Sequence, residues 1–273
     1  PADLEATVVS TINGSIDSTA NSTADSKEYA TQEKEITKFR TEHEGRGRFE
    51  FTPDSRLQYF LKVSKPSGIK KMFPLPKIKL EGAVISTDTD VFKRGQPITL
   101  KVGSTSKMFR VSVAKREVEL AASKLCTTPN RSSKHPSLKA ITLPMPDDAD
   151  GVLTATVWDG NGVPLAERLI FREESKPLNI SISASKTNYV PGDNAEVKIK
   201  ATDADGKPVS AVVGVTVTDE SILQMVEKRE QAPRLPVMVF LEPEVKDLAD
   251  AHVYLDSKNP KAPMATDLLL GTQ

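Results

Sequence analysis

Cysteine is nearly absent from this sequence, since Cys126 is the single thiol among 273 residues. One cysteine cannot close a disulfide within the chain, which excludes a fold held together by internal disulfides. Two interpretations of Cys126 stay open: an inert thiol, and a bridge to a segment or subunit outside this sequence. The one tryptophan, together with 19 prolines and 14 glycines, indicates many short elements separated by turns.

An excess of charge and a long apolar run are also missing. Lys and Arg together number 37, and so do Asp and Glu, so the chain has no basic field to attract nucleic acid or an anionic membrane. No stretch approaches the roughly 20 apolar residues of a membrane-spanning helix, and residues 1–5 lack the features of a signal peptide. We expect a soluble chain with no nucleic-acid partner. Its apolar last residues, 267–273, suggest a piece excised from a longer protein.

The residue patterns of catalytic and metal sites are missing as well. The three histidines, His43, His135 and His252, have no short-spaced partner of the metal-ligand type, so we expect each to face solvent. Short acidic groups lack the glycine-centred spacing of a calcium loop and are interpreted as solvated turns: Asp88, Asp90, Asp147, Asp148 and Asp150. No nucleophile elbow, phosphate loop or dinucleotide fingerprint occurs. We therefore predict no enzyme activity, no metal site and no cofactor.

What the sequence does contain is a short pattern that occurs twice, at residues 92–102 and 189–199. Each copy has an aromatic residue, a glycine three positions later, and then apolar residues at alternate positions. Glycine enters turns without steric strain, and the alternation places the apolar residues on one face of a strand. Each copy therefore predicts a β-turn leading into a half-buried strand, with Leu100 and Val197 at equivalent positions.

The separation of the two copies predicts the domain organisation. A period of about a hundred residues is the size of one β-sandwich module. We therefore predict an all-β chain of tandem antiparallel β-sandwich domains of immunoglobulin-like type. The predicted domains span residues 1–77, 78–174 and 175–273, and the last of them is expected to be incomplete.

Local patterns predict several elements within these modules. Residues 159–162 read Asp-Gly-Asn-Gly, a strong tight-turn signal between two strands. Residues 48–53 alternate as a strand, with residues 57–63 as its hairpin partner. Residues 245–254 are expected to form a short helix.

Four Asn-x-Ser/Thr sequons account for half of the chain's asparagines, more than its Ser and Thr content gives by chance. Their acceptors, the candidate N-glycosylation sites, are Asn13, Asn21, Asn130 and Asn179. The excess favours a secreted protein of eukaryotic type, although Asn13 and Asn21 lie in a Ser/Thr-rich stretch where sequons arise from composition.

Three segments resemble the alpha-2-macroglobulin superfamily. They are the Gly-Arg-Phe-Glu-Phe-Thr-Pro sequence at residues 47–53, the Tyr-Val-Pro-Gly turn at 189–192, and the strand with the following Asp-Glu-Ser-Ile-Leu at 213–223. The last is the most specific, since macroglobulins carry a similar segment just before their bait region. The resemblance implies macroglobulin domains, which are seven-stranded sandwiches of about a hundred residues.

The resemblance also implies a function. Intact family members inhibit proteases by exposing a bait segment whose cleavage triggers a collapse around the protease, often with capture by a thioester. This sequence lacks the Gly-Cys-Gly-Glu-Gln thioester motif, and no long bait loop is obvious after residue 223. The basic, proline-broken stretch that follows is the candidate protease-cleavage segment, with Lys228, Arg229 and Arg234 as candidate cleavage sites. An ordinary surface loop would contain such residues too.

The expected function is that of a scaffold fragment of a protease-trapping or complement-like protein. Its expected partners are proteases or other domains of the same larger protein. The expected location is secreted or cell-surface, and periplasmic if the protein is bacterial. Two alternatives stay open: a cell-surface or envelope structural or adhesion protein that uses such modules as spacers, and a binding subunit of a larger assembly.

Overall fold

Antiparallel strands dominate the computed structural model, which describes residues 3–12, 33–127, 138–190, 192–218, 234–246 and 248–273. This part of the chain contains fourteen strands and two helices. The strands form four sheets, and all the pairs between them are antiparallel. The prediction of an all-β chain of antiparallel sheets is therefore confirmed.

The first sheet has the strand order β2-β1-β3-β4. Its strands are β1 (Glu5–Ile12), β2 (Lys34–Arg40), β3 (Leu57–Lys65) and β4 (Met72–Pro74). Its buried apolar residues are Ala6, Val8, Val9, Tyr59 and Val63.

The predicted strand at residues 48–53 is wrong, because these residues form no ladder. Both edges of β3 are already paired, with β1 on one side and β4 on the other, so no edge is left for them. Phe49 and Phe51 nevertheless lie together, with ring centroids 6.1 Å apart. They join Phe39, 5.0 Å from Phe49, to Tyr59, 4.8 Å from Phe51, in one aromatic row.

The second unit is a sandwich of two sheets. One has the order β10-β6-β5, and the other has the order β12-β11-β7-β8, with β9 also paired to β7. The strands are β5 (Ala83–Ser86), β6 (Ile98–Ser104), β7 (Met108–Lys115), β8 (Val118–Ala122), β9 (Cys126–Thr127), β10 (Lys139–Leu143), β11 (Gly151–Asp159) and β12 (Pro164–Arg172). Alternate residues of both sheets meet in one buried cluster that includes Leu100, Val111 and Leu153.

The first copy of the repeated pattern has the predicted structure. Gly95 has φ +69° in a turn closed by the Gln96 N–H donating to the Lys93 carbonyl. Ile98, Leu100 and Val102 then lie on one face of β6 and are at most 1% exposed.

The second copy has the predicted backbone but not the predicted burial. Gly192 has φ +90°, and the chain continues into β14 (Val197–Thr202), which pairs with β13 (Asn179–Ala184). The register places Ile182 opposite Ile199 and Ala184 opposite Val197. This apolar face is exposed in the described structure, with Ile182 at 70% and Val197 at 51%. The expectation of a half-buried strand is wrong here, because no described residues pack over the hairpin.

The tight turn between β11 and β12 is confirmed. Gly162 has φ +82°, and the Asp159 N–H donates to the Val163 carbonyl at 2.9 Å. The Asp159 carboxylate accepts from the N–H groups of Asn161 and Val163, both at 2.8 Å. This side chain fixes the turn and with it the register of the hairpin.

The C-terminal segment, residues 234–273, packs against the second unit. It contains α1 (Leu235–Phe240) and α2 (Ala262–Leu270). Val152 and Phe171 are cross-strand partners on the face of β11 and β12 opposite to Leu153. Both belong to a buried cluster with residues of the C-terminal segment. Those residues are Val237, Leu241, Ala251, Tyr254, Ala265, Leu269 and Leu270. Both faces of the β11–β12 hairpin are therefore covered.

The predicted helix at 245–254 is wrong, since its described residues form turns and Asp250 has φ +58°.

Candidate functional site

In the sequence, the candidate cleavage segment follows the β13–β14 hairpin and precedes the docked C-terminal segment. Lys228 and Arg229 lie outside the described residues. Arg234, the third basic residue, is the N-cap of α1 and has an extended backbone. Its side chain is 52% exposed and forms an ion pair with Asp256 at 2.5 Å. The hydrogen bond from Arg234, together with one from the Lys258 backbone N–H, lowers the pKa of Asp256.

The position of Arg234 limits what a protease can do there. The peptide bond on its C-terminal side leads directly into α1, where Val237 is fully buried. Proteases bind extended chain, so cleavage after Arg234 requires this helix to unwind first. Arg234 therefore marks the point where the chain is anchored again.

The anchoring of α1 depends on close contact with the start of β11. Phe240 meets Phe171 edge to face, with ring centroids 6.3 Å apart. Gly151 lies beneath the same ring, and a Cβ there would come within 2.8 Å of Phe240 Cδ1. Arg116 adds an ion pair with Glu244 at 2.8 Å.

We expect Gly151→Ala to weaken this docking. The substitution places a Cβ against Phe240 and strains a backbone with φ +76°, which we expect to lower the free energy of unfolding by about 2–4 kcal/mol. Gly162→Ala is the matched control, because Gly162 has φ +82° and open space around its Cβ position. Urea unfolding of both variants separates the contact from the strain. Equal losses would contradict a role for the contact with Phe240.

A carboxylate on α2 joins three parts of the chain. Asp267, 8% exposed, accepts from Arg168 of β12 at 2.7 Å and from Arg48 of the first unit at 3.3 Å. Arg48 also donates to Asp90 at 2.7 Å, and this hydrogen bond raises the pKa of Arg48. These charge-assisted bonds connect the first unit, the second unit and the C-terminal segment.

Comparison with known families identifies the region that precedes the candidate segment. Residues 83–225, more than half of the chain, match the family model of the alpha-2-macroglobulin bait region domain. The chain belongs to the alpha-2-macroglobulin family. The match begins at the first residue of β5 and ends shortly before Lys228.

Comparison with solved structures finds a crystal structure of a point mutant of Salmonella alpha-2-macroglobulin. The matched sequences are 10% identical, the two structures superpose with a TM-score of 0.27, and the match covers 76% of this chain. The chain spans 15% of the length of that protein. No curated protein matches. Among the described residues, no helix is long and apolar enough to cross a membrane.

Two other candidate residues of this macroglobulin chain lie within the described structure, Cys126 and Asn179. Cys126 is in β9, partly buried against the main core cluster, with its thiol donating to the Lys124 carbonyl at 3.4 Å. Asn179 begins β13, where its amide nitrogen donates to the Asp203 carbonyl at 3.0 Å. The remaining sequon acceptors, Asn13, Asn21 and Asn130, lie outside the described residues. The thiol and sequon hypotheses remain predictions.

Three of the five acidic residues, Asp88, Asp90 and Asp150, form ion pairs, whereas Asp147 and Asp148 are exposed. Lys101 pairs with Asp88 at 2.6 Å, and Lys115 pairs with Asp150 at 2.8 Å. Burial by itself would raise the pKa of Asp150, but hydrogen bonds from Lys115 and Ser175 outweigh burial and lower it. Within the described ranges, no three His, Cys, Asp or Glu side chains come together as metal ligands.

Two of the three histidines do not face solvent as expected. His43 and His252 are partly buried, and each has one ring nitrogen buried without a hydrogen-bond partner. They meet where the first unit contacts the C-terminal segment. Sequence reasoning missed this contact because the residues are far apart in the chain and neither stands in a motif. His135 lies outside the described residues.

Proposed function

We propose that this chain is a scaffold fragment of a protease-trapping macroglobulin and that it presents a cleavable, bait-like segment. One observation carries the proposal. The region that matches the bait region domain ends at residue 225, and the basic residues Lys228 and Arg229 follow at once, before the chain is anchored again at Arg234. The fragment would contribute shape and anchoring, without bond-making chemistry of its own.

The anchoring of the C-terminal segment supports a structural role for the fragment and a cleavable role for the segment before Arg234. A cut transmits a change of shape only if the chain on either side of it is held by different bodies. The C-terminal segment is held by the buried cluster around Tyr254 and by the ion pairs of Asp267. Lys228 and Arg229 are therefore the preferred cleavage sites, because Arg234 is bound to Asp256 at the start of a helix.

The third module is proposed to be incomplete. An isolated two-stranded sheet is marginally stable in water, and the exposed face of β13 and β14 carries the alternation that is buried in the second unit. We infer that this face belongs to a sandwich whose second sheet is not formed by the described residues.

Limited proteolysis of the folded chain tests the proposal. We expect trypsin to cut first after Lys228 or Arg229, roughly tenfold faster or more than at basic residues within the strands. Mass spectrometry of early time points locates the cut. In the K228Q/R229Q double variant the early cut should be lost, while the control K107Q, at an exposed position between β6 and β7, retains it.

Two results would contradict the proposal. One is early cleavage that falls first at Arg131 or Lys134, and the other is cleavage spread evenly along the chain.

For the trapping step, a cut between residues 227 and 263 should compact the longer protein in small-angle scattering. Resistance to proteases, or a cut without any change of shape, would remove trapping from the proposal.

A spacer or adhesion role is the second candidate. The observation in its favour is the set of contacts between the first unit and the C-terminal segment, including Arg48 with Asp267, since a spacer needs modules held in a fixed relation. Both roles place the protein outside the cytoplasm, secreted or at the cell surface, or in the periplasm of a bacterium. Cleavage without compaction of the longer protein would favour the spacer.

A further inference from the structure

A tight turn of the first unit, residues 43–46, contacts Tyr254 of the C-terminal segment. His43 and Arg46 bridge across the turn, with Glu44 at φ +43° and Gly45 at φ +77° between them. Tyr254 is fully buried. Its hydroxyl accepts from Arg46 Nη1 at 3.4 Å, and its ring meets the His43 ring edge to face at 6.0 Å.

The surroundings of the His43 imidazole favour its neutral state. His43 Nε2 and His252 Nδ1 are buried and have no hydrogen-bond partner. A neutral ring tolerates one unpaired nitrogen at modest cost. A protonated His43 ring carries a charge and a second N–H, and at Nε2 that N–H would have no acceptor.

We propose that this contact, formed by residues 42–46 and 250–254, is an acid-sensitive latch that holds the C-terminal segment at neutral pH and releases it when His43 takes up a proton. The inference concerns docking alone and does not depend on the proposed bait function. Release would uncover the buried Tyr254 and free the segment that anchors the downstream end of the candidate cleavage region.

Burial of His43, opposed in part by nearby charged groups, determines the direction of the effect. Burial acts most strongly and lowers its pKa. Asp250 and Glu44 favour the cation, whereas Arg46 and His252 oppose it, and the net result is a pKa below the ordinary value of 6.5. The docked state therefore binds fewer protons than the released state. Docking keeps its full stability above pH 6.5 and loses stability as the pH falls below that value.

Hydrogen–deuterium exchange of the whole chain tests the latch. After correction for intrinsic rates, we expect protection of residues 248–256 to fall roughly threefold to tenfold between about pH 7.5 and 5.5, since one proton changes an equilibrium at most tenfold per pH unit. Protection of β11 should not change. In the H43F/H252F double variant, which keeps rings at both positions, the fall should disappear, while H135Q should behave like the unmodified chain.

Asp250→Asn provides an independent variant that preserves the backbone, because asparagine tolerates the positive φ of this position. Without the carboxylate the docked state binds the His43 proton less well while the released state is unaffected, so the loss of protection should begin at the same pH but be larger at about pH 5.5 than in the unmodified chain. The latch is overturned if protection of residues 248–256 does not depend on pH. It is also overturned if the double variant, or D250N where the double variant does not fold, follows the pH profile of the unmodified chain.

Discussion

Replacing Arg172 by methionine is expected to lower the free energy of unfolding by about 2–4 kcal/mol. The side chain is 1% exposed. Its guanidinium donates to the carbonyls of Pro146 at 3.0 Å and Gln96 at 3.2 Å, and also to that of Ala149. Methionine fills much of the same volume but donates nothing, so the turn of the repeated pattern and the turn before β11 lose their common anchor.

Arg110→Met is the matched control for Arg172. Arg110 lies on the same sheet, but its side chain is 40% exposed and pairs with Glu119 at 3.3 Å. Surface pairs of this kind contribute about 0–1 kcal/mol. Urea unfolding can be followed through Trp158, the one tryptophan. A loss for Arg172→Met no larger than that for Arg110→Met would mean that the buried hydrogen bonds contribute no net stability.

Truncating the two equivalent positions of the repeated pattern is expected to give very different results. Leu100→Ala should cost about 2–5 kcal/mol, because Leu100 is fully buried between the two sheets of the second unit. Val197→Ala should change stability by less than about 0.5 kcal/mol, because Val197 is 51% exposed. Chemical denaturation of both variants measures the difference directly.

Val102→Ala completes the comparison, since it removes the same two methyl groups as Val197→Ala from a residue that is 1% exposed. If Val197→Ala cost as much as Val102→Ala, the face of the β13–β14 hairpin would have to be covered in solution. In that case the third module would already be complete within this chain, contrary to the proposal above.

The two copies of the pattern separate what local sequence encodes from what it leaves open. Gly95 and Gly192 both adopt positive φ, and both copies continue into strands. Turn formation and alternation are local properties, so the sequence was sufficient to predict them. Burial is not local, because it requires a second layer, and the layer present over β6 is absent over β14 among the described residues.

The error at residues 48–53 has the same origin. Alternation makes such a segment compatible with a strand, but pairing needs a free edge, and β3 has none. Phe49 and Phe51 are partly buried in an aromatic row instead. A pattern states which face of a segment is apolar, and the rest of the fold decides what that face contacts.

The amino-acid pattern alone was enough to predict antiparallel strands, balanced charge and a resemblance to the macroglobulins. The contacts of Asp267 with Arg48 and Arg168, and of His43 with Tyr254, could be seen only in the folded chain. The cause is distance along the chain. Partners separated by about a hundred residues or more leave no periodicity between them, and they meet only when the C-terminal segment packs onto the outer face of β11 and β12.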